Sequence, residues 1–157
     1  MNEKAQNPLK TILLTGLVAG TLDILAAFAN AYLSNAVSPI RVLQFIASGL
    51  LGKNAFEGGL TTAGLGLLLH FIIAFSWTIL FFFLYPKIKQ ILTNPIITGL
   101  VYGLIIWLIM NLAVLPMSNI NKQPFSLNWQ TFIGIGILML FVGLPISIMV
   151  NRYYSNK

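Results

Sequence analysis

The sequence predicts an all-α polytopic membrane protein: four transmembrane helices plus one short amphipathic or re-entrant helix on the outer side, in a single integral-membrane domain over residues 1–157. Two observations carry this reading. Apolar residues make up 57% of the chain and charged residues 8%, against roughly 25% charged in an ordinary soluble domain. A chain of 157 residues cannot hide that much apolar surface in one aqueous core, so lipid must be part of its solvent. The apolar residues also gather into four runs, about 11–33, 60–85, 96–115 and 130–150. Each is long enough to cross a ~30 Å hydrocarbon core at about 1.5 Å per residue.

Each run has a physical boundary. Pro86-Lys87-Ile88-Lys89 is expected to end the second run, because proline cannot continue the hydrogen-bond ladder and two lysines resist burial. Asn94-Pro95 opens the third, and Pro116 to Asn128 reads as a polar loop. At the first run, Lys4 and Lys10 followed by Ala27-Phe28-Ala29 or Ala29-Asn30-Ala31 raise a cleaved signal peptide as a competitor. The run exceeds the apolar region of about 7–15 residues in such peptides, and Asp23 interrupts it, so the segment is expected to stay.

Orientation follows from the basic residues. One side carries Lys4, Lys10, Lys87, Lys89, Arg152 and Lys157, and the other Arg41, Lys53 and Lys122. Six against three predicts both termini in the cytoplasm. Tyr32 and Trp129 fall near the outer boundary, and Tyr85, Tyr153 and Tyr154 near the inner one, where an aromatic belt is expected.

The short helix is expected over 39–51. Ser38-Pro39 supplies a hydroxyl cap followed by proline at the first helical position. Arg41, Gln44 and Ser48 form a narrow polar stripe, and the length is too short for an ordinary crossing. The segment should lie along the outer interface or dip into the bundle. Gly52, Gly58 and Gly59 then allow the turn into the second crossing.

Helices in lipid associate through small residues and a few polar contacts. The first crossing has Gly16, Gly20, Asp23, Ala27 and Asn30 on one face. The second has Thr62, Gly66, His70 and Ala74 at every fourth position, with Gly59 and Trp77 at the ends of that face. The third offers Gly99, Gly103, Trp107 and Asn111, and the fourth Gly136, Gly143 and Ser147, with Pro145 expected to bend it. These glycines are the candidate packing positions. A compact bundle follows, either alone or with a second copy.

Asp23 and His70 are the candidate site. Asp23 lies ten residues before Leu33, and His70 ten residues after Leu60. In antiparallel crossings both sit about 15 Å from the same surface, near the midplane. An ionisable group there costs roughly 2.5–3.5 kcal/mol on insertion scales, so it turns inward and takes a partner. Each lies on the small-residue face of its helix, which predicts that they meet. Two readings stay open: a polar contact that fixes helix register, and a proton- or cation-handling pair.

The second half of the chain resembles a known family. The residues are His70-Phe71-Ile72-Ile73-Ala74-Phe75, Tyr85-Pro86-Lys87-Ile88-Lys89, Gly99 and Gly103, Leu115-Pro116-Met117, and Phe125-Ser126-Leu127-Asn128-Trp129. In that order, over roughly residues 66–152, they are similar to the YagU-type small bacterial inner-membrane proteins. The resemblance implies a polytopic inner-membrane fold with the Pro86 turn in the cytoplasm, and no established activity. Two features depart from it: Asn111 stands where that pattern has a second histidine, and the fourth crossing carries no acid.

Several functions are excluded. The net charge of +6 comes from nine scattered Lys and Arg residues, which suit anionic headgroups rather than a nucleic-acid backbone. One histidine and no cysteine exclude a multi-histidine zinc site and a thiol nucleophile. There is no nucleophile elbow, P-loop or dinucleotide fingerprint. No catalytic residue, metal or cofactor is therefore assigned. Arg41 and Lys53 are expected to contact headgroups, and Arg41 is also suited to hold a phosphate. The leading expectation is a non-enzymatic bundle that binds a lipid, a small solute or a membrane partner. The alternative is a proton-linked transporter or channel using Asp23 and His70.

Overall fold

Among the described residues, four of the five helices begin at a side chain that accepts from the first turn. Asn7 Oδ1 takes the Leu9 N–H and opens α1 (Pro8–Asn35). Ser38 Oγ takes the Arg41 N–H and opens α2 (Pro39–Leu51). After a 3₁₀ turn over Gly52–Phe56 comes α3 (Gly59–Ile91). Asn94 Oδ1 takes the Ile96 N–H at the start of α4 (Pro95–Met117), and Asn128 forms a reciprocal capping box with Thr131 at the start of α5 (Trp129–Ser155). Proline occupies the first position of α1, α2 and α4, where its missing N–H forgoes no bond. The computed structural model describes residues 7–120 and 128–156. Lys4, Lys122, Lys157 and Phe125-Ser126-Leu127, used in the sequence analysis, lie outside the described residues.

Among the described residues there is no strand, and α1, α3, α4 and α5 are each long and apolar enough to cross a membrane. Their outward faces are apolar: Leu25, Leu68, Phe83, Leu112 and Phe132 are all exposed. Small and polar residues face inward, as close packing between helices in lipid requires. α1 packs against α3 and α5, α4 lies against α5, and α2 lies against α3.

Glycines set the closest approaches. A Cβ on Gly66 would overlap the Leu43 carbonyl oxygen, so this glycine of α3 seats the backbone of α2. Gly99 and Gly103 of α4 likewise meet the backbone of Gly143, Leu144 and Leu138 in α5, closer than a Cβ allows. Gly16 and Gly20 of α1 receive the rings of Phe75 and Phe71. Gly136 departs from the expected face: a Cβ there would meet nothing within 4 Å. The reason is a π-helical segment, Leu138–Gly143, which widens the turn and breaks the α-helical register between Gly136 and Gly143. A second π segment, Met110–Val114, stands in α4. Each ends two residues before a proline, Pro116 or Pro145, whose ring disturbs the preceding turn.

Pro86 does not end its helix, contrary to the sequence expectation; α3 continues to Ile91. Proline removes the N–H that would bond the carbonyl four residues earlier, here that of Phe82. The Tyr154 hydroxyl supplies the missing donor, at 3.1 Å from the Phe82 oxygen. Tyr85, Tyr153 and Tyr154, expected near the inner boundary, pack against one another. Tyr85 and Tyr153 are buried with Phe81 and Phe82, and Tyr85 donates to Asn151 Oδ1. Tyr32 and Trp129 are exposed.

In α2 most of the polar stripe faces inward. Gln44 and Ser48 of its polar stripe are buried, and only Arg41 is exposed. Gln44 Nε2 donates to the Gly59 carbonyl at 3.1 Å. At the other end of α2, Asn119 donates its backbone N–H to Gly49 and its amide to Leu50. These two bonds cap carbonyls that a helix C-terminus leaves open. Gly52 and Gly59, with φ of 61° and 58°, make the turns on either side of the 3₁₀ segment in a region that disfavours a Cβ. The helix is thus fixed across one end of the bundle.

Candidate functional site: an apolar cavity with an acid–imidazole pair

His70 is brought to α1 by the face that also carries Gly66 and Ala74. Its Nε2 lies 2.8 Å from the Gly20 carbonyl oxygen. Its Nδ1 lies 4.0 Å from Asp23 Oδ2, with the His70 and Asp23 side chains 10% and 24% exposed. The two residues therefore stand together on facing surfaces of α1 and α3.

The first contact determines what the second can be. A carbonyl oxygen only accepts, so Nε2 must carry a proton. A neutral His70 then presents a bare lone pair at Nδ1 toward Asp23. An ionised Asp23 would oppose it with a second acceptor, leaving a net negative charge in the hydrocarbon. One proton between Nδ1 and Oδ2 removes the conflict, held either as imidazolium–carboxylate or as imidazole–carboxylic acid. Either form is neutral overall and avoids the penalty of roughly 2.5–3.5 kcal/mol for an isolated midplane charge. Closing the 4.0 Å gap to a hydrogen bond needs a shift of about 1 Å.

The pair forms part of the wall of a cavity of about 300 Å³. Val42, Phe45 and Ile46 of α2 cover one side of it. Ile73, Ala74 and Trp77 extend the α3 wall beyond His70. Ile106 and Met110 of α4, with Leu138 and Val142 of α5, close the far side. Met110 opens one π segment, and Leu138 and Val142 belong to the other. Both distorted turns therefore face the cavity, and π turns recur at functional sites. Among the described residues, Asp23 and His70 are the only titratable side chains in its lining.

The other candidate residues lie apart. Arg41 is exposed, its guanidinium carbon 5.4 Å from the centre of the Phe56 ring. Lys53 is exposed on the 3₁₀ turn. Asn111 donates to the Trp107 carbonyl of its own helix. Among the described residues, no group of three His, Asp or Glu side chains stands close enough to hold a metal ion. Sequence reasoning missed the cavity wall from α2 and the two π segments. The repeated Leu-Pro at 115–116 and 144–145 was the available signal for the latter.

Fold and site define an all-α polytopic bundle with a partly open, mostly apolar cavity bordered by an acid–imidazole pair. No family model, curated protein or solved structure matches the chain.

Proposed function

We propose that this protein is a non-enzymatic membrane bundle whose cavity binds a small, mostly apolar solute, oriented by Asp23 and His70. The observation that carries the reading is the lining itself: about 300 Å³ bounded by aliphatic and aromatic side chains with a single polar pair. Sites for small ligands combine apolar walls with a few placed polar groups in this way. Residence in a bacterial inner membrane rests on the YagU-type resemblance. Cytoplasmic termini rest on the bias of Lys and Arg. Arg41 and Lys53, exposed near α2, are suited to anionic headgroups of the surrounding lipid. A second copy of the chain or another membrane protein remains a partner consistent with the apolar exterior.

The test is bromobenzene quenching of Trp77 emission in lipid nanodiscs, in a Trp107→Phe, Trp129→Phe background so that Trp77 alone reports. Quenching that saturates, and becomes linear when Ala27→Phe fills the cavity, supports the proposal. Linear quenching in both proteins would mean partition into lipid and would sink it.

A second reading, proton-linked movement of the solute, is favoured by one observation: Asp23 and His70 border the cavity rather than a closed helix contact.

A further inference from the structure

We infer that the cavity takes a lipophilic monovalent organic cation in exchange for one proton, an inference that rests on the cavity being a binding site. Three features point to this ligand class. Asp23 is the acid of the lining, and its carboxylate approaches His70 through Oδ2, so Oδ1 is left to a ligand. Phe45 and Trp77 line the same space, and aromatic faces attract organic cations. The remaining walls are aliphatic, which suits a cation with a substantial apolar body.

Charge balance supplies the exchange. With its proton, the Asp23–His70 pair is neutral. Adding a cation would place an uncompensated positive charge in hydrocarbon, which is expensive. If the proton leaves the Nδ1···Oδ2 contact for water, His70 is neutral and keeps its Nε2–H on Gly20. Asp23 then carries the single negative charge, paired with the ligand. One cation enters, one proton leaves, and the site stays neutral throughout. An anion would need a second proton on the pair to keep the site neutral, whereas a cation needs only the loss of the one already there.

Among the described residues, no other titratable group competes at this point. From α2, Arg41 lies over Phe56 and is absent from the cavity lining. From α4, Tyr102 gives its hydroxyl proton to the Trp77 carbonyl at 2.7 Å. α5 adds only Leu138 and Val142 to the lining, and α3 adds no titratable group besides His70.

The experiment uses benzyltrimethylammonium, which has no titratable proton, and its uncharged isostere neopentylbenzene, on the full chain in nanodiscs. Displacement of bromobenzene reports relative affinity. Calorimetry of the cation in two buffers of different ionisation enthalpy counts protons. The expected result is cation preferred over isostere, release of about one proton per cation, and affinity rising about tenfold per pH unit while the pair is protonated. Asp23→Asn should collapse the preference and remove the pH dependence. Phe45→Leu should lower the preference several-fold and leave proton release intact, which keeps the test open if Asp23→Asn does not fold. Saturable bromobenzene binding without displacement by the cation would overturn this inference and spare the binding site. Cation binding with no proton released would overturn the exchange. Absence of saturable binding by every probe would overturn the site as well.

Discussion

His70 Nε2 stands 2.8 Å from the carbonyl oxygen of Gly20. One turn away on the same helix, Asp23 faces the other ring nitrogen. A backbone acceptor on one side and a carboxyl on the other leave the ring little choice of tautomer. The helix contact and the protonation state are thus one feature. Gly20 also admits the Phe71 ring beside it, so the small residue that permits helix approach also exposes the carbonyl that orients the imidazole.

Gly66→Ala should unseat α2. The added methyl would meet the Leu43 carbonyl, which is backbone and cannot rotate away. Overpacking of this kind costs typically 1–3 kcal/mol, about that range being expected here from unfolding in mixed detergent. Gly64→Ala on the same helix has open space around it and should change stability by no more than about 0.5 kcal/mol. Equal effects from the two would show that α2 does not rest on Gly66.

Tyr154→Phe should destabilise the protein by about 0.6–1.7 kcal/mol, the range for hydrogen bonds between membrane helices, because the Phe82 carbonyl loses its donor. In a Pro86→Ala background the backbone N–H returns to that carbonyl, and the same substitution should cost much less. A double-mutant cycle measures the coupling. An additive result would refute the idea that Tyr154 compensates for Pro86.

Much of this arrangement was legible in the sequence, and the gaps have physical causes. Asp23 and His70 could be placed together because equal depth and small-residue faces depend only on residue spacing. The sequence left α2 open between an interfacial and a re-entrant placement, because a polar stripe can face water or the bundle interior. With lipid outside, Gln44 and Ser48 turn inward. Gly136 was misplaced because a helical wheel assumes a constant turn, which the π segment before Pro145 breaks. Pro86 read as a stop because its compensating donor, Tyr154, is remote in sequence and arrives only through the fold. The cavity needed five helices to be placed at once, and no local pattern encodes that.

Orientation has its own test. Reporter fusions after Thr93 and after Asn119 bracket α4, so they should report opposite sides, with Thr93 cytoplasmic as the basic residues at Lys87, Lys89 and Arg152 require. A shared side would refute the crossing by α4. The inverse assignment would refute the placement of the termini.

The central claim, that one proton joins Asp23 and His70 while Nε2 stays bonded to Gly20, is open to direct measurement. The chain has one histidine, so ¹⁵N-labelled imidazole gives a single site in solid-state NMR of the protein in bilayers. The expected spectrum shows a protonated Nε2 across the whole accessible pH range, with Nδ1 alone changing as the shared proton moves or leaves. Asp23→Asn should alter the Nδ1 signal and leave Nε2 protonated. An Nδ1–H tautomer with bare Nε2, or an Nδ1 signal unchanged by Asp23→Asn, would contradict the pairing.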